Sequence, residues 1–420
     1  MRRPRVHVIG AGLAGLAAAV SLAQAGREVH LHEAALQAGG RCRSYFDPAL
    51  GLDIDNGNHL VLSGNKQAMA YAGMIGSSGK LEGPAEATFD FVDLRDGARW
   101  QLRPGAGRMP WWIFVAGRRV PGTRARDYFA LARLLMARKG ATVGEAMACS
   151  GRLYETLWQP LLAAALNTDP PEASAALAAA VIRETLARGG RACRPLTAPG
   201  GLSGAFVDPA LSFLKALGNG IKFGRRLRGF EFTDGQVAAL DFGPEREELS
   251  TIDCAVLAVP AHVAVTLVPG LQAPAETRAI VNGHFAVAPP PALPRITGVV
   301  GGMAEWIFAW PGRISTTTSA AGRLLDMPRE QLAAALWRDV SAACGIDPSL
   351  PPWQIVKERR ATFAATPAQD ALRPPGGTRW RNLALAGDFT RTGLPATIEG
   401  AIGSGFKAAA NVLRSRAAAS

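Results

Sequence analysis

Two glycine-rich turns, one near each end of this 420-residue chain, constrain its fold more than anything between them. Near the start, Val6-His-Val-Ile9 leads into Gly10-Ala-Gly12-Leu-Ala-Gly15, and Glu33 follows 18 residues later. Near the end, the apolar residues 383–386 lead into Gly387-Asp388, and Pro395 precedes a last helical stretch. A strand, a glycine turn and a helix in that order build a dinucleotide site. Gly10 permits the tight turn, Gly12 lets backbone approach a pyrophosphate, and Gly15 lets helix and strand pack closely. The helix start offers free N–H groups and partial positive charge to phosphates. An acid at Glu33 accepts ribose hydroxyls and disfavours a 2′-phosphate, so NADP is not expected there.

Gly39-Gly40-Arg41 adds two flexible residues and a fixed guanidinium soon after Glu33. Such a turn wraps a pyrophosphate from its other side; the plainer reading is a surface loop. Gly387-Asp388 falls at the carboxyl end of a strand, where open α/β sheets bind ligands. Asp388 is therefore a candidate for a ribityl or phosphate-bridging contact. The helix start at Pro395, Ala396, Thr397 and Ile398 would aim N–H groups outward and stabilise charge on the edge of a reduced flavin. Glu399 is either part of that turn or a simple first-turn acid. One large cofactor held from both ends suits FAD better than NAD. The C-terminal motif has no cysteine, so the FAD is expected to be non-covalent.

Asp53-Ile-Asp55-Asn56-Gly57-Asn58-His59 is polar and turn-prone. Either it is a satisfied turn, or it sets Asn56, Gly57 and His59 beside flavin or substrate. No second ligand is spaced for a metal at His59, and no metal site is expected. The five cysteines form no CxxC pair, which argues against a zinc site or a disulfide framework. No Ser-His-Asp, Cys-His or paired-carboxylate pattern is legible, so the chemistry belongs to the cofactor.

Glycine and proline punctuation gives the organisation. Residues 5–33 read as strand, helix, strand. Hairpins are expected at Asp96-Gly97 and Asp234-Gly235, and helices over 126–138, 151–167, 172–188 and 329–343. A buried strand covers 254–259, strands cover 306–319, and 269–294 reads as proline-rich. Dinucleotide signals cluster near 1–65, 225–260 and 380–420. This predicts an α/β chain with a discontinuous Rossmann-like FAD-binding domain (1–85, 195–265, 375–420). An α+β substrate-binding, membrane-facing domain (86–194, 266–374) is inserted in it.

Formal net charge is +12, arginine far outnumbering lysine. Nucleic acid, an anionic membrane and an acidic substrate are the partners such charge admits. No nucleic-acid motif accompanies it. Met109-Pro-Trp-Trp-Ile-Phe-Val115, flanked by Arg103, Arg108, Arg118 and Arg119, is either a membrane-interface patch or a buried strand. His284, Phe285, Trp306 and Trp310 either line a substrate tunnel or are core. No run of about 20 apolar residues is present, and the apolar N-terminus reads as the fingerprint rather than a signal peptide. The expected location is cytoplasmic, peripheral on the inner face of the membrane.

With both ends in view, the chain resembles the flavin-containing amine oxidase and phytoene desaturase superfamily. The carriers are Gly10-x-Gly12-x-x-Gly15, Glu33, Gly39-Gly40-Arg41, Leu257-Ala-Val-Pro260 and Gly387-Asp388. Asp55-Asn-Gly-Asn-His-Leu60, Ile280-Val-Asn-Gly-His-Phe285 and Thr392-Gly-Leu-Pro-Ala-Thr-Ile-Glu-Gly-Ala401 are closer still to bacterial hydroxysqualene dehydroxylases of hopanoid biosynthesis. In that family's pattern Trp is expected at Phe389, Gln at Asn58 and Arg at Gly403. The resemblance implies reductive removal of a hydroxyl from hydroxysqualene, or from a similar polyisoprenoid, to give squalene. It further implies an external electron donor, peripheral membrane contact and contact with upstream squalene-pathway enzymes, with His59 or His284 as candidate acid. The rival readings are a carotenoid-type desaturase, an amine oxidase and a non-catalytic membrane scaffold. No tyrosine follows Tyr154, so the aromatic pair that amine oxidases place around an amine is missing its usual residue.

Overall fold

The computed structural model describes residues 4–417, without the side chains of 415–417. Five parallel strands form one sheet in the order Leu383–Leu385, Cys254–Leu257, Arg5–Ile9, Glu28–His32, Gly220–Lys222. Its strands thus come from the beginning, middle and end of the chain. The alanine-rich helix Leu13–Gln24 is buried along most of its length beneath this sheet, against the C-terminal helix Ile398–Ala417. A Cβ on Gly405 would lie 2.2 Å from the Ala14 carbonyl oxygen, so this close helix contact needs glycine.

A three-stranded antiparallel sheet, Gly229–Thr233, Gln236–Asp241 and Arg246–Glu248, covers the other face. Ile9, Leu240, Phe242 and Leu257 share the apolar cluster between them. A separate seven-stranded sheet runs Trp353–Phe363, Thr277–Phe285, Arg313–Thr318, Trp306–Trp310, Ile296–Val300, Phe89–Asp93, Arg99–Leu102. Its pairs are antiparallel except that of Ile296–Val300 with Phe89–Asp93. Helix Arg329–Cys344 packs on one face, and the helical region around Gln159–Leu166 and Ala175–Glu184 on the other. No helix among the described residues is long and apolar enough to cross a membrane.

Several local expectations need correction. The proline-rich stretch 269–294 contains the nine-residue strand Thr277–Phe285. Its prolines lie outside that strand, which pairs on both sides and has no place for a residue lacking N–H. The eleven-residue strand Trp353–Phe363 was not anticipated, because its Lys-Glu-Arg-Arg centre hides the alternation. The helix expected over 126–138 is a 3-10 turn, Ala125–Phe129, followed by the short helix Ala130–Leu135. The buried-strand reading of 109–115 fails: Trp111–Phe114 is a 3-10 turn, and Trp111 is 67% exposed.

His7 and His32 are wholly buried between the parallel sheet and its three-stranded cover. Arg225, an obligate donor, gives a hydrogen bond to His32 Nδ1 at 3.1 Å. His32 Nε2–H then donates to His7 Nδ1 at 3.2 Å, leaving His7 Nε2 without a partner. Glu247 approaches to 3.6 Å and completes a ligand-like group. Arg225 nevertheless fixes His32 as a donor at the shared point, where a metal would need its lone pair.

Burial lowers the His7 pKa to about 4 and that of His32 to about 2. Such residues bind more protons when unfolded, so their stabilisation is full above pH 6.5 and is lost as pH falls. A fall from 6.5 to about 4 at His7 alone corresponds to about 3 kcal/mol. We predict that Tm falls steadily between pH 6.5 and 4.5 and that His7→Leu shallows this slope. A wild-type Tm that is flat over that interval contradicts the assignment.

Candidate FAD and active site

The N-terminal loop forms as its glycines require. Gly10 has φ +105°, and a Cβ there would lie 2.5 Å from the Ala258 carbonyl oxygen. A Cβ on Gly15 would fall 1.8 Å from the Gly10 carbonyl oxygen. Gly12 differs: nothing lies within 4 Å of its missing Cβ. It also starts helix Leu13–Gln24 with no side-chain cap. Open space beside an uncapped helix start is what a phosphate needs. Glu33 accepts from Ala11 N–H at 2.7 Å and Ala35 N–H at 2.8 Å, which pins its carboxylate at the loop.

The second glycine turn lies against the first. Gly39 bridges Gly12 and donates its N–H to the Ala11 carbonyl at 2.8 Å. A Cβ on Gly40 would come 3.4 Å from Gly12 Cα. Arg41 leaves this turn and reaches Asp388 Oδ2 at 2.7 Å and the Ala361 carbonyl at 2.5 Å. The neighbouring Asp388 carboxylate raises the guanidinium pKa above its ordinary value. Arg41 keeps 43% of its side-chain surface accessible, so it has a free face as well as a fixed one.

At the other end, Gly387 has φ +149° and donates to Ser404 Oγ at 2.8 Å. The loop after Asp388 is tied down by Arg373, which the sequence did not reveal. Arg373 is 1% exposed. It donates to the carbonyls of Asp388 and Thr390 and to Thr392 Oγ1, and pairs with Asp370 at 3.0 Å. No motif distinguishes it among 46 basic residues.

The C-terminal helix begins at Ile398, after Pro395 and Ala396, and Thr397 Oγ1 accepts the Gly400 N–H at 3.1 Å. One of its early N–H groups is therefore taken by the protein's own cap. Glu399 is more than a first-turn acid: both its oxygens accept N–H groups, from Gln67 and Ala68, at the start of helix Lys66–Met74. Gly403 rests against Gln67, with Cγ 3.2 Å from a Cβ built there, so a larger side chain would displace Gln67. Phe389 is 3% exposed and joins the apolar cluster of Ile9, Leu257 and Trp380.

The polar segment 53–59 packs against the seven-stranded sheet. Asn56 Nδ2 donates to Glu358 at 3.1 Å. Asn58 Nδ2 donates to the Thr316 carbonyl at 3.1 Å and Thr317 Oγ1 at 3.2 Å. A Cβ on Gly57 would meet Asn282 Nδ2 and His59 Cε1, each at 3.4 Å. His59 is half-buried, and its Nδ1–H donates to the Gly57 carbonyl at 2.8 Å, leaving a lone pair on Nε2. Burial lowers its pKa. His284 is fully enclosed: Nδ1 meets Ser315 Oγ at 2.9 Å, Nε2 has no partner, and burial lowers the pKa to about 3.

The family model for flavin containing amine oxidoreductases matches residues 13–413. The chain is 58% identical to a hydroxysqualene dehydroxylase from Rhodopseudomonas palustris, over 97% of this chain and 98% of that one. It is 46% identical to a hydroxysqualene dehydroxylase from Zymomonas mobilis, over 96% of this chain and 97% of that one. A putrescine oxidase structure superposes with a TM-score of 0.70 at 15% identity, covering 99% of each chain, which shows a shared fold.

Gly12 has ordinary extended geometry (φ −73°, ψ 174°), so a side chain there strains nothing. We predict that Gly12→Val folds normally but is purified with about tenfold less flavin per protein, read from visible absorbance. A full flavin complement would show that the open side of this loop faces no phosphate.

Proposed function

The chain belongs to the flavin-containing amine oxidoreductase family and uses FAD, and from that premise we propose that it reductively dehydroxylates hydroxysqualene to squalene. The supporting observation is end-to-end likeness to hydroxysqualene dehydroxylases at 46–58% identity. In this reaction the allylic C–O bond breaks, a C–H bond forms at that carbon, and the oxygen leaves as water. When bound, reduced FAD supplies the two electrons and the hydrogen delivered to carbon. An external donor must restore them.

We assign 1–85, 195–265 and 375–420 to holding the cofactor, and 86–194 and 266–374 to holding the isoprenoid. Gly10, Gly12, Gly15, Glu33, Gly40 and Arg41 hold the cofactor from the N-terminal side. Gly387, Asp388, and Pro395 through Ile398 hold it from the C-terminal side. Asn56 and Gly57 set the junction between the two regions. Of the two histidines, His59 is the better proton carrier, because part of its surface is accessible and Nε2 is unengaged. Protonated at Nε2, it gives a proton to the leaving oxygen. Enclosed His284 instead braces the strand pair through Ser315. Peripheral contact with a membrane, hopanoid metabolism and contact with the enzymes that make the substrate belong to the same reading.

The direct test is anaerobic incubation of dithionite-reduced protein with hydroxysqualene, with products read by mass spectrometry. We expect squalene and matching flavin reoxidation. No squalene with flavin still reduced removes the proposal, and squalene consumed by oxidised enzyme favours a desaturase. A lowered His59 pKa makes the protonated form scarce at neutral pH. We therefore expect the single-turnover rate to rise as pH falls below 6.5 and His59→Gln to flatten that rise; an unchanged profile in the variant excludes His59 as the acid.

A further inference from the structure

Residues 103–139 carry nine basic side chains and one acid, Asp127, within a chain whose net charge is +12. Eight of those nine cations are exposed. The same segment exposes Met109, Trp111, Phe114, Val115, Phe129 and Met136, six of the fourteen exposed large apolar side chains among the described residues. Ordinary soluble surfaces scatter such residues singly. Here they sit on one ordered unit. Trp112 meets Tyr128 edge-on at 5.3 Å, and the Tyr128 hydroxyl accepts the Val120 N–H at 2.9 Å. Trp111 and Phe114 therefore project from a fixed base.

A cavity of about 480 Å³ opens in this face, lined by Gly105, Arg108, Met109, Trp111, Trp112 and Arg118. The apolar cluster behind it is continuous. Ile113 and Trp112 belong to the cluster that includes Leu60 and Leu62, beside His59, and Ala396 at the start of the C-terminal helix.

We propose that 103–139 is a docking face for an anionic lipid bilayer, and that the cavity beside Trp111 and Trp112 admits an isoprenoid directly from the lipid. The entrance role rests on the substrate reading above; the docking does not. Tryptophan and arginine around an apolar patch match the interfacial zone, where rings enter the headgroup boundary and guanidinium groups meet phosphates. Nucleic acid would use the charge but would leave Met109, Phe114, Val115 and Met136 in water, because no base-reading motif accompanies them. Each cation near an anionic surface strengthens binding about fivefold.

The test is co-sedimentation of flavin-loaded protein with phosphatidylcholine vesicles, with and without phosphatidylglycerol. Binding should require phosphatidylglycerol and weaken with salt. Arg126→Glu with Arg133→Glu should weaken it more than tenfold. Arg329→Glu with Arg338→Glu, an equal charge change at exposed positions of helix Arg329–Cys344, should change it less than twofold. Trp111→Ser with Phe114→Ser should weaken binding and remove fluorescence quenching by brominated lipid. Equal binding to both vesicle types, or equal effects of the two charge reversals, overturns the proposal. Loss with the arginine pair but not the Trp111 and Phe114 pair, together with competition by RNA, identifies a polyanion patch instead and also overturns it. Because the readout is vesicle binding, failure here leaves the dehydroxylase test untouched.

Discussion

The contact between Arg41 and Asp388 is the constraint around which the rest is arranged. It joins the second glycine turn of the N-terminal region to the last strand of the chain. As a partly exposed ion pair it contributes about 0–1 kcal/mol, so stability is not its main consequence. Its consequence is placement: the pair holds a guanidinium and a carboxylate together at the turn whose Gly40 packs on Gly12. Both glycine turns are fixed to each other by the Gly39 N–H. Arg373 fixes the Asp388 loop from behind with three acceptors. A cofactor bound there meets groups that are already oriented, which limits the ordering cost of binding.

That arrangement follows from the parallel sheet. Its central strand, Arg5–Ile9, pairs with residues 254–257 on one side and 28–32 on the other. The chain must therefore leave and return twice before Leu383–Leu385 closes the edge. The intervening residues build the seven-stranded sheet. Asn58, bonded to Thr316 and Thr317, ties the loop beside His59 to that sheet. The loop carrying His59, the side chain we propose as the acid, thus lies near Arg41 on one side and, through Leu60 and Leu62, against the apolar cluster that includes Trp112 on the other. A long isoprenoid alcohol, polar at one carbon and apolar elsewhere, matches that division.

The glycine fingerprints were legible because their geometry is local. Gly10 and Gly15 are needed by backbone contacts within a few residues or across one strand. The hairpins at Asp96-Gly97 and Asp234-Gly235 were legible for the same reason. Arg373 was not, since its three acceptors lie 15 to 19 positions away and no spacing rule relates them. Strand Trp353–Phe363 was hidden by charged residues that its position in the sheet tolerates. From its spacing Glu399 belongs to the helix-start turn or is a first-turn acid, whereas its partners are the N–H groups of another helix more than 300 positions earlier. The 109–115 segment has a composition that fits either a core strand or a surface patch, and only its surroundings decide.

The measurement closest to the centre of this account is a double-mutant cycle on Arg41 and Asp388, read as the FAD dissociation constant. A joint grip on one cofactor makes the contributions of Arg41 and Asp388 interdependent. It predicts that Arg41→Ala and Asp388→Asn each weaken FAD binding at least tenfold. The double variant should then be no more than about threefold weaker than the worse single change. Fully additive losses would mean that the two ends of the chain act independently, and the joint grip would be contradicted.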